Sequence, residues 1–360
     1  MNAKQNRDAS APTNELSGLS RAAWMQEGKF GLMVHWIHPL VPPKDGEKET
    51  DFQRAVDAFD LDLFLSDFDK TQADWLVFTI GQNTGFYASH NQTADCLLGP
   101  GHTSRRDLVM EIAQQIKARN KRFIAYLPCI VTHASDELRT LFGWTTEANT
   151  TPEVFCERYS QFIRDFSVRF GTLLDGWWFD GALEAFHYPQ ICNQPFMEAA
   201  RAGNPMAAVA FNDGAACVGS TQATEGQDYM AGETEVVIGG KIRNGRATDA
   251  PRLDPRTHRP APPASCLWHA LVPIDCYWGH GNSFLPEHNL PVAVPPYQAG
   301  RMEPPLYSTA DLTTLVSDFK AAGGGVTFNV GIFQEGGLGP ETVAQLNELA
   351  GMVGKDNKEF

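Results

Sequence analysis

Short apolar runs alternate with helical patterns along this 360-residue chain, and this alternation constrains its fold more than any other feature. The runs are rich in β-branched and aromatic residues and have the length of buried strands. Predicted strands are residues 29–36, 75–80, 123–128, 176–180, 207–212, part of 266–278, 326–330 and a weaker one near 229–233. Strands that alternate with helices at this spacing predict a parallel sheet.

Four helices are predicted between or after these strands from spacing and capping residues. Ser104 is the predicted N-cap of the first, and Asp107 completes a capping box before an apolar face with helical spacing. The other three helices are predicted over residues 152–170, 311–321 with a cap at Ser308, and 340–352.

Eight such units that close on themselves form a (β/α)8 TIM-like barrel, which is the predicted fold class. A doubly wound sheet requires a glycine-rich phosphate turn after its first strand, and residues 35–39 read His-Trp-Ile-His-Pro instead. The predicted domains are a flexible N-terminal lead-in over residues 1–20 and a single barrel over residues 21–356.

The charge of the chain argues against some classes of partner. Its 29 basic and 43 acidic residues give a net charge of −14, which disfavours nucleic acid and anionic membrane surfaces. No run of 18 apolar residues occurs, so no transmembrane span is predicted. The first 20 residues contain no apolar signal-peptide core. We expect a cytoplasmic protein, or one exported with a leader that this chain does not contain.

Neither a metal nor another cofactor is predicted. The seven cysteines stand singly without a CxxC pair, which is typical of small buried side chains in a reducing compartment. His35 and His38 are three residues apart, so on an extended strand they face opposite sides and are poor common ligands. Gly323-Gly324-Gly325 precedes a predicted strand rather than opening a helix, so it does not predict a phosphate loop.

The strongest functional signal is the run Gly-Trp-Trp-Phe-Asp-Gly at residues 176–181. Asp180 ends an apolar strand, where a carboxylate is desolvated on one side and open to a cleft on the other. Such a group can attack an electrophilic carbon. A structural cap or ion pair is the alternative role for Asp180.

Polar side chains also stand where the other predicted strands end. Neutral amide, imidazole and hydroxyl groups suit sugar hydroxyls, and aromatic rings suit sugar C–H faces. Glycoside cleavage further requires two carboxyl groups. The candidate residues are His35, Gln82, Asn83, Tyr126, Trp178, Asp180, Asn212, Glu233, Trp278 and His280.

Several segments, in order, resemble the family 29 glycoside hydrolases, the α-L-fucosidases. They are KFGLMVHW at 29–36, SRRDLV at 104–109, WFDG at 178–181, and residues 316–331 with their three glycines and Phe-Asn-Val-Gly ending. Asp228-Tyr229 followed by Glu233 is similar to that family's DYxTPE element, and residues 278–280 are similar to its WGY element. The resemblance covers roughly residues 24–353, which is one catalytic barrel.

The resemblance implies a retaining glycosidase in which Asp180 is the nucleophile and Glu233 the acid/base. Glu225 and Glu235 are the other glutamates that could fill the second role. It implies that the other candidates hold sugar hydroxyls, with Trp178 as a wall of the sugar site. Because the chain stops soon after the eighth unit, the family's C-terminal β-sandwich is expected to be missing.

Departures from the family concern the residues that contact the sugar. Its KHHDGF element is replaced by Gly-Gln-Asn-Thr-Gly-Phe at residues 81–86, so both histidines are absent. Asn212-Asp213-Gly214 stands where the family has an arginine, and Trp268-His269 replaces a tryptophan–glutamate pair. No counterpart of its EWY element is found.

The predicted function is therefore a retaining exo-glycosidase that hydrolyses a terminal α-L-fucosyl or related sugar from an oligosaccharide or glycoconjugate. A glycosidase of the same fold that acts on another sugar is one alternative. A catalytically silent carbohydrate-binding barrel and a metal-dependent hydrolase are two more. The sequence leaves the oligomeric state open.

Overall fold

A parallel seven-stranded sheet forms the centre of the molecule. The computed structural model describes residues 18–144, 152–182, 188–214, 224–234, 236–238, 241–243, 253–254, 259–260, 266–276, 300 and 302–356. The strands of the sheet are β1 (Gly31–Val34), β2 (Trp75–Thr79), β3 (Arg122–Pro128), β4 (Gly176–Asp180), β5 (Ala208–Phe211), β10 (His269–Pro273) and β11 (Gly325–Val330). Their order across the sheet is β10-β11-β1-β2-β3-β4-β5.

Two short antiparallel pairs lie between β5 and β10 in the chain. They are β6 (Val236–Ile238) with β7 (Lys241–Arg243), and β8 (Leu253–Asp254) with β9 (Arg259–Pro260).

Helices follow most strands of the sheet. They are α1 (Gly18–Glu27), α2 (Phe52–Asp57), α3 (Leu61–Thr71), α4 (Gln92–Leu98), α5 (Leu108–Ala118), α6 (Asp136–Phe142), α7 (Glu153–Phe170), α8 (Asn193–Ala200), α9 (Thr309–Ala321) and α10 (Pro340–Asp356). The alternation confirms the predicted α/β class, and a curled parallel sheet with helices around it is consistent with a TIM-like barrel.

Side chains alternate between two apolar clusters along each strand, because successive residues of a strand point to opposite faces. In β4, Trp177 and Phe179 join the larger cluster with the helices. Trp178 belongs to a second cluster on the concave face, with Met33, Tyr126 and other strand residues. Asp180 follows Trp178 by two positions, so it lies on the concave side as well.

Residues 228–233 contact both edge strands of the sheet. The Asp228 amide donates to the Val209 carbonyl in β5 at 2.9 Å. Tyr229 and Glu233 form parallel bridges with Leu267 and Leu271 on the β10 side. The weak strand expected near 229–233 is therefore an extended segment with isolated bridges, which brings Glu233 into line with the strand ends.

The start of α5 corrects the predicted capping box. The helix begins at Leu108, and its N-cap Asp107 makes no side-chain capping bond. Asp107 instead accepts from Ser89 at 2.5 Å and from Arg169, while the Ser104 hydroxyl donates to the Arg106 carbonyl. The Asp107 carboxylate and the Ser104 hydroxyl, which were predicted to cap the helix, therefore form hydrogen bonds elsewhere. The predicted cap of α9 is confirmed, since the Ser308 side chain accepts from the backbone amide of Asp311.

None of the helices in the described ranges is long and apolar enough to span a membrane. The cysteines described there are free thiols, and all except Cys96 are buried.

Candidate functional site

The carboxyl ends of parallel strands meet at one edge of a sheet, and here they bring predicted site residues together. Asp180 is the last residue of β4, and Asn212 directly follows β5. Glu233 lies on the extended segment beside β10. Both carboxyl side chains are partly exposed, while the Asn212 residue is only 2% exposed.

Asp180 accepts hydrogen bonds at both carboxyl oxygens. The Tyr126 hydroxyl lies 2.5 Å from Oδ2, and the Asn212 Nδ2 amide lies 2.8 Å from Oδ1. The backbone is held as well, because the Asp180 carbonyl accepts from the Cys129 amide at 2.8 Å. Asp180 is therefore fixed in one orientation at the mouth of the concave face.

Glu233 is the second carboxyl group of the site. The Asn212 Nδ2 atom that bonds Asp180 Oδ1 at 2.8 Å also donates to Glu233 Oε2 at 2.6 Å, so these oxygens lie within about 5.4 Å, the sum of the two bonds. Retaining glycosidases hold their carboxyl groups about 5–5.5 Å apart and inverting ones about 6.5–9.5 Å. Glu225 is exposed on a turn, and Glu235 lies outside the described residues.

Tyr126 connects Asp180 to the residues that follow β2. Gln82 Nε2 donates to the Tyr126 hydroxyl at 2.8 Å, and Gln82 Oε1 accepts from the Asn83 side-chain amide at 3.1 Å. Burial, together with the negative charge of Asp180, raises the pKa of Tyr126 well above its usual value. The hydroxyl therefore remains protonated at neutral pH and donates to Asp180.

His35 packs against Tyr126. Its Nδ1 is 2.7 Å from Asn329 Oδ1, and its ring meets the Tyr126 ring edge-on at 5.1 Å between centroids. Burial lowers the pKa of His35, although the bond to Asn329 and the charge of Asp180 act in the opposite direction. The imidazole is therefore neutral at pH 7.

Asn329 is a site residue that was not among the predicted candidates. It lies in β11, two positions after Thr327, and both side chains face the same side of the strand. A polar residue at this period of two, within the Phe-Asn-Val-Gly ending that carries the family resemblance, is a pattern that predicts a side chain on the same face as Thr327.

Three of the predicted sugar-binding residues are buried. Tyr126, Asn212 and Trp178 are 0%, 2% and 3% exposed. Trp178 stacks on Tyr126 with 5.3 Å between ring centroids and donates from Nε1 to the Ala231 carbonyl at 3.1 Å. The ring expected to wall the sugar site thus supports Tyr126 from within the concave face.

Two further candidates, Trp278 and His280, lie outside the described residues. His38 is 5% exposed, and its Nε2 lies 3.1 Å from the Thr50 carbonyl. Within the described ranges, no group of histidine, cysteine and acidic side chains has the arrangement of a metal site.

The comparisons with known proteins give structural neighbours only. No family model matches the chain, and no curated protein matches it in sequence. The endo-fucoidan hydrolase MfFcnA4 of glycoside hydrolase family 107 matches with a TM-score of 0.61 at 19% identity, over 96% of this chain and 54% of that chain. This chain therefore spans about half the length of that neighbour.

Two other neighbours match over nearly their whole length. The endo-fucoidan hydrolase P5AFcnA, also of family 107, gives a TM-score of 0.63 at 11% identity, over 95% of both chains. The α-L-fucosidase AlfC from Lactobacillus casei, with α-L-fucose product bound, gives 0.58 at 15% identity, over 94% of this chain and 99% of that chain. The chain thus has the fold of fucose-acting glycoside hydrolases.

Proposed function

We propose that this protein is a retaining glycoside hydrolase. The observation that carries the proposal is the pair of carboxyl groups, Asp180 and Glu233, which share the Asn212 amide at the carboxyl edge of the sheet. Active sites of barrel enzymes lie at this edge, and the separation of the two groups suits a covalent mechanism.

The two carboxyl groups have different roles in the proposed mechanism: Asp180 is the nucleophile, and Glu233 is first the acid and then the base. In the first step, an Asp180 oxygen bonds to the anomeric carbon while the glycosidic C–O bond breaks, and Glu233 gives its proton to the leaving oxygen. In the second step, Glu233 takes a proton from water, the hydroxide attacks the anomeric carbon, and the ester bond to Asp180 breaks. The bonds to Tyr126 and Asn212 hold the nucleophile in the position for attack.

The proposed substrate is a terminal α-L-fucosyl or related sugar residue of an oligosaccharide or glycoconjugate, cleaved in the exo mode. The fold shared with an α-L-fucosidase supports this choice. Gln82 and Asn83, which stand where family 29 has two histidines, offer amide groups to sugar hydroxyls next to the carboxyl pair. Because these residues differ from that family, a panel of aryl glycosides is required to identify the sugar.

Endo cleavage of a fucose-containing chain is the second candidate. The named endo-fucoidan hydrolases give TM-scores of 0.61 and 0.63, against 0.58 for the fucosidase. Product analysis separates the two modes: an exo enzyme releases free monosaccharide from the first turnover, and an endo enzyme releases oligosaccharides.

We further propose that the barrel has eight strands. Residues 228–233 bond to β5 through Asp228 and to the β10 side through Tyr229 and Glu233. In a closed sheet, the eighth strand would occupy this place between the two edge strands. Closure explains how Glu233, on a segment without a regular ladder, comes to face Asp180.

Replacement of the two carboxyl groups tests the mechanism. We expect Asp180→Asn to lower turnover by at least about 10⁴-fold, since the nucleophile is lost, while the fold is retained. Glu233→Gln should lower turnover by about 10²–10⁴-fold on substrates with poor leaving groups and by less on nitrophenyl glycosides, which need little acid assistance.

A mechanism-based inhibitor distinguishes an enzyme from a silent carbohydrate-binding barrel. A fluorinated sugar with an activated leaving group should label Asp180 covalently, as peptide mass spectrometry would detect. A protein that binds sugar, is not labelled by the inhibitor and hydrolyses none of the aryl glycosides in the panel would be a silent carbohydrate-binding barrel. Full activity of Asp180→Asn would exclude Asp180 as the nucleophile.

A further inference from the structure

The Asn212 side chain lies between the two carboxyl groups of the site. We propose that Asn212 is a positioning residue that sets the separation and orientation of Asp180 and Glu233, and not a ligand of a sugar hydroxyl. The catalytic meaning of this inference rests on the proposed function, whereas its structural content rests on the geometry alone.

The orientation of the Asn212 amide is fixed by a backbone donor. The Gly214 N–H, which can only donate, lies 3.0 Å from Asn212 Oδ1. This bond makes Oδ1 the acceptor and turns the NH₂ group toward the carboxyl groups. The two hydrogens of Nδ2 are then matched by two acceptors, Asp180 Oδ1 and Glu233 Oε2.

The backbone of Asn212 is tied to both sides of Asp180. The Asn212 amide donates to the Phe179 carbonyl at 2.7 Å, and the Asn212 carbonyl accepts from the Ala182 amide at 2.8 Å. The side chain is 2% exposed, so its donors are already bonded and shielded from solvent. A rigid amide in this place can hold Glu233 at a fixed distance from the end of β4.

The neutrality of asparagine suits this task. Two carboxyl groups within about 5.4 Å repel each other when both are ionised. An amide offers one N–H to each group and adds no charge. An arginine or lysine would pair strongly with one carboxylate, and an aspartate would add a third negative group.

A second set of bonds fixes the direction of the contact between Tyr126 and Asp180. The Asn83 backbone N–H donates to Gln82 Oε1 at 3.3 Å, which directs Gln82 Nε2 to the Tyr126 oxygen at 2.8 Å. The Tyr126 hydroxyl therefore donates its hydrogen bond to Asp180 Oδ2. Asp180 accepts from both sides, and Glu233 accepts from Asn212 at Oε2.

Crystal structures of the wild type, Asn212→Ala and Asn212→Asp test the inference without any need for activity. We expect the Asp180 and Glu233 oxygens to change their separation, or to occupy several conformers, in both variants. Asn212→Asp keeps the size of the side chain and replaces its two donors with an acceptor, so it remains informative if Asn212→Ala does not fold.

Asn204→Ala is the matched control. Asn204 precedes the same strand, donates from Nδ2 to the Leu174 carbonyl at 2.9 Å and accepts from the Met206 amide at 3.0 Å, without contact to a carboxyl group. This variant loses a comparable amide, and its carboxyl pair should remain as in the wild type.

Kinetics give a second readout. A misplacement of about 1 Å can cost about 10²-fold in rate, so both Asn212 variants should lose about that factor in kcat with little change in KM. A sugar ligand would instead affect mainly KM, and that result would overturn the inference.

An unchanged carboxyl geometry in both Asn212 crystal structures would also overturn it. If the wild-type protein is inactive and Asp180 is not labelled, the proposed function fails, while the crystal structures still decide the positioning role.

Discussion

At the scale of single residues, this site controls its acidic groups with neutral hydrogen-bond donors. Asp180 receives one bond from a phenol and one from an amide, and Glu233 shares that amide. Hydrogen bonds to a charged partner contribute about 1.5–3 kcal/mol each, more than bonds between neutral groups. The two donors to Asp180 are therefore expected to influence catalysis more than an equal number of contacts to sugar hydroxyls.

Tyr126→Phe tests one of these donors. We expect kcat to fall by about 10–100-fold, which corresponds to the loss of one hydrogen bond to a charged group. The fold should be retained, because the ring and its stacking on Trp178 remain. Steady-state kinetics on an aryl glycoside and a thermal melt measure the two effects.

Tyr159→Phe is the control for that experiment. The Tyr159 hydroxyl is equally buried and donates to the backbone carbonyl of Pro128 at 2.5 Å, and not to a carboxyl group. Its loss should affect stability alone. Equal kcat values for Tyr126→Phe and the wild type would contradict the assigned role of Tyr126.

At the scale of elements, the segment 228–233 fits closely against the strand beside it. Gly232 has φ of +73°, and a Cβ atom there would lie 2.1 Å from the His269 carbonyl oxygen. Glycine alone accepts both the left-handed backbone and the close approach. The tight contact holds Glu233, the next residue, at the strand ends.

Gly232→Ala should therefore destabilise the protein by more than about 2 kcal/mol and lower activity, because backbone strain adds to a steric clash. Denaturant unfolding and kinetics measure the two losses.

Gly226→Ala isolates the clash. Gly226 has φ of +85°, but its added Cβ would meet only the flexible Met197 side chain at 3.4 Å. This variant should lose only about 1 kcal/mol from the backbone conformation. If both variants lose the same amount, the close approach at Gly232 has no energetic effect.

At the scale of the whole molecule, His269 links distant parts of the concave face. Its Nδ1 lies 3.0 Å from the Met230 carbonyl and its Nε2 lies 2.7 Å from Thr327 Oγ1, which also accepts from Trp75 at 2.8 Å. Burial lowers the pKa of His269 to about 4, so the ring is neutral in the folded protein. One uncharged imidazole thus connects the 228–233 segment to β10 and β11, and through Thr327 to Trp75 of β2.

The depressed pKa predicts a loss of stability in acid. Between pH 6.5 and about 4, the unfolded chain binds a proton at this histidine and the folded protein does not. The stabilisation is fully present above pH 6.5 and is lost as the pH falls toward 4, at about 1.4 kcal/mol per unit.

Denaturant unfolding of the wild type and His269→Gln across this range measures the effect. We expect the variant to be less stable than the wild type at pH 7. Its free energy of unfolding should depend less steeply on pH, because up to one fewer proton is taken up on unfolding. Parallel curves for the two proteins would contradict the prediction, because the other histidines with lowered pKa values, His35 and His38, are common to both.

The sequence by itself determined the parallel α/β architecture and the place of Asp180 at the end of β4. Both follow from local patterns, namely apolar runs of strand length, helical spacing and a carboxylate after an aromatic run, and such patterns do not depend on distant partners. The spacing of two between Thr327 and Asn329 is also a local pattern, and it places both side chains on one face of β11.

Only the tertiary structure decided which side chains meet. Asn212 bonds residues 32 and 21 positions away, and Tyr126 bonds one 54 positions away, so their partners depend on the register of separate strands. The same register stacks the buried Trp178 ring on Tyr126. Tertiary packing likewise brings Ser89 and Arg169 to Asp107, which accepts hydrogen bonds from them instead of capping its helix. The sequence does not specify which distant acceptor a side-chain donor will meet, whereas the packed strands bring only one or two acceptors within hydrogen-bond distance of it.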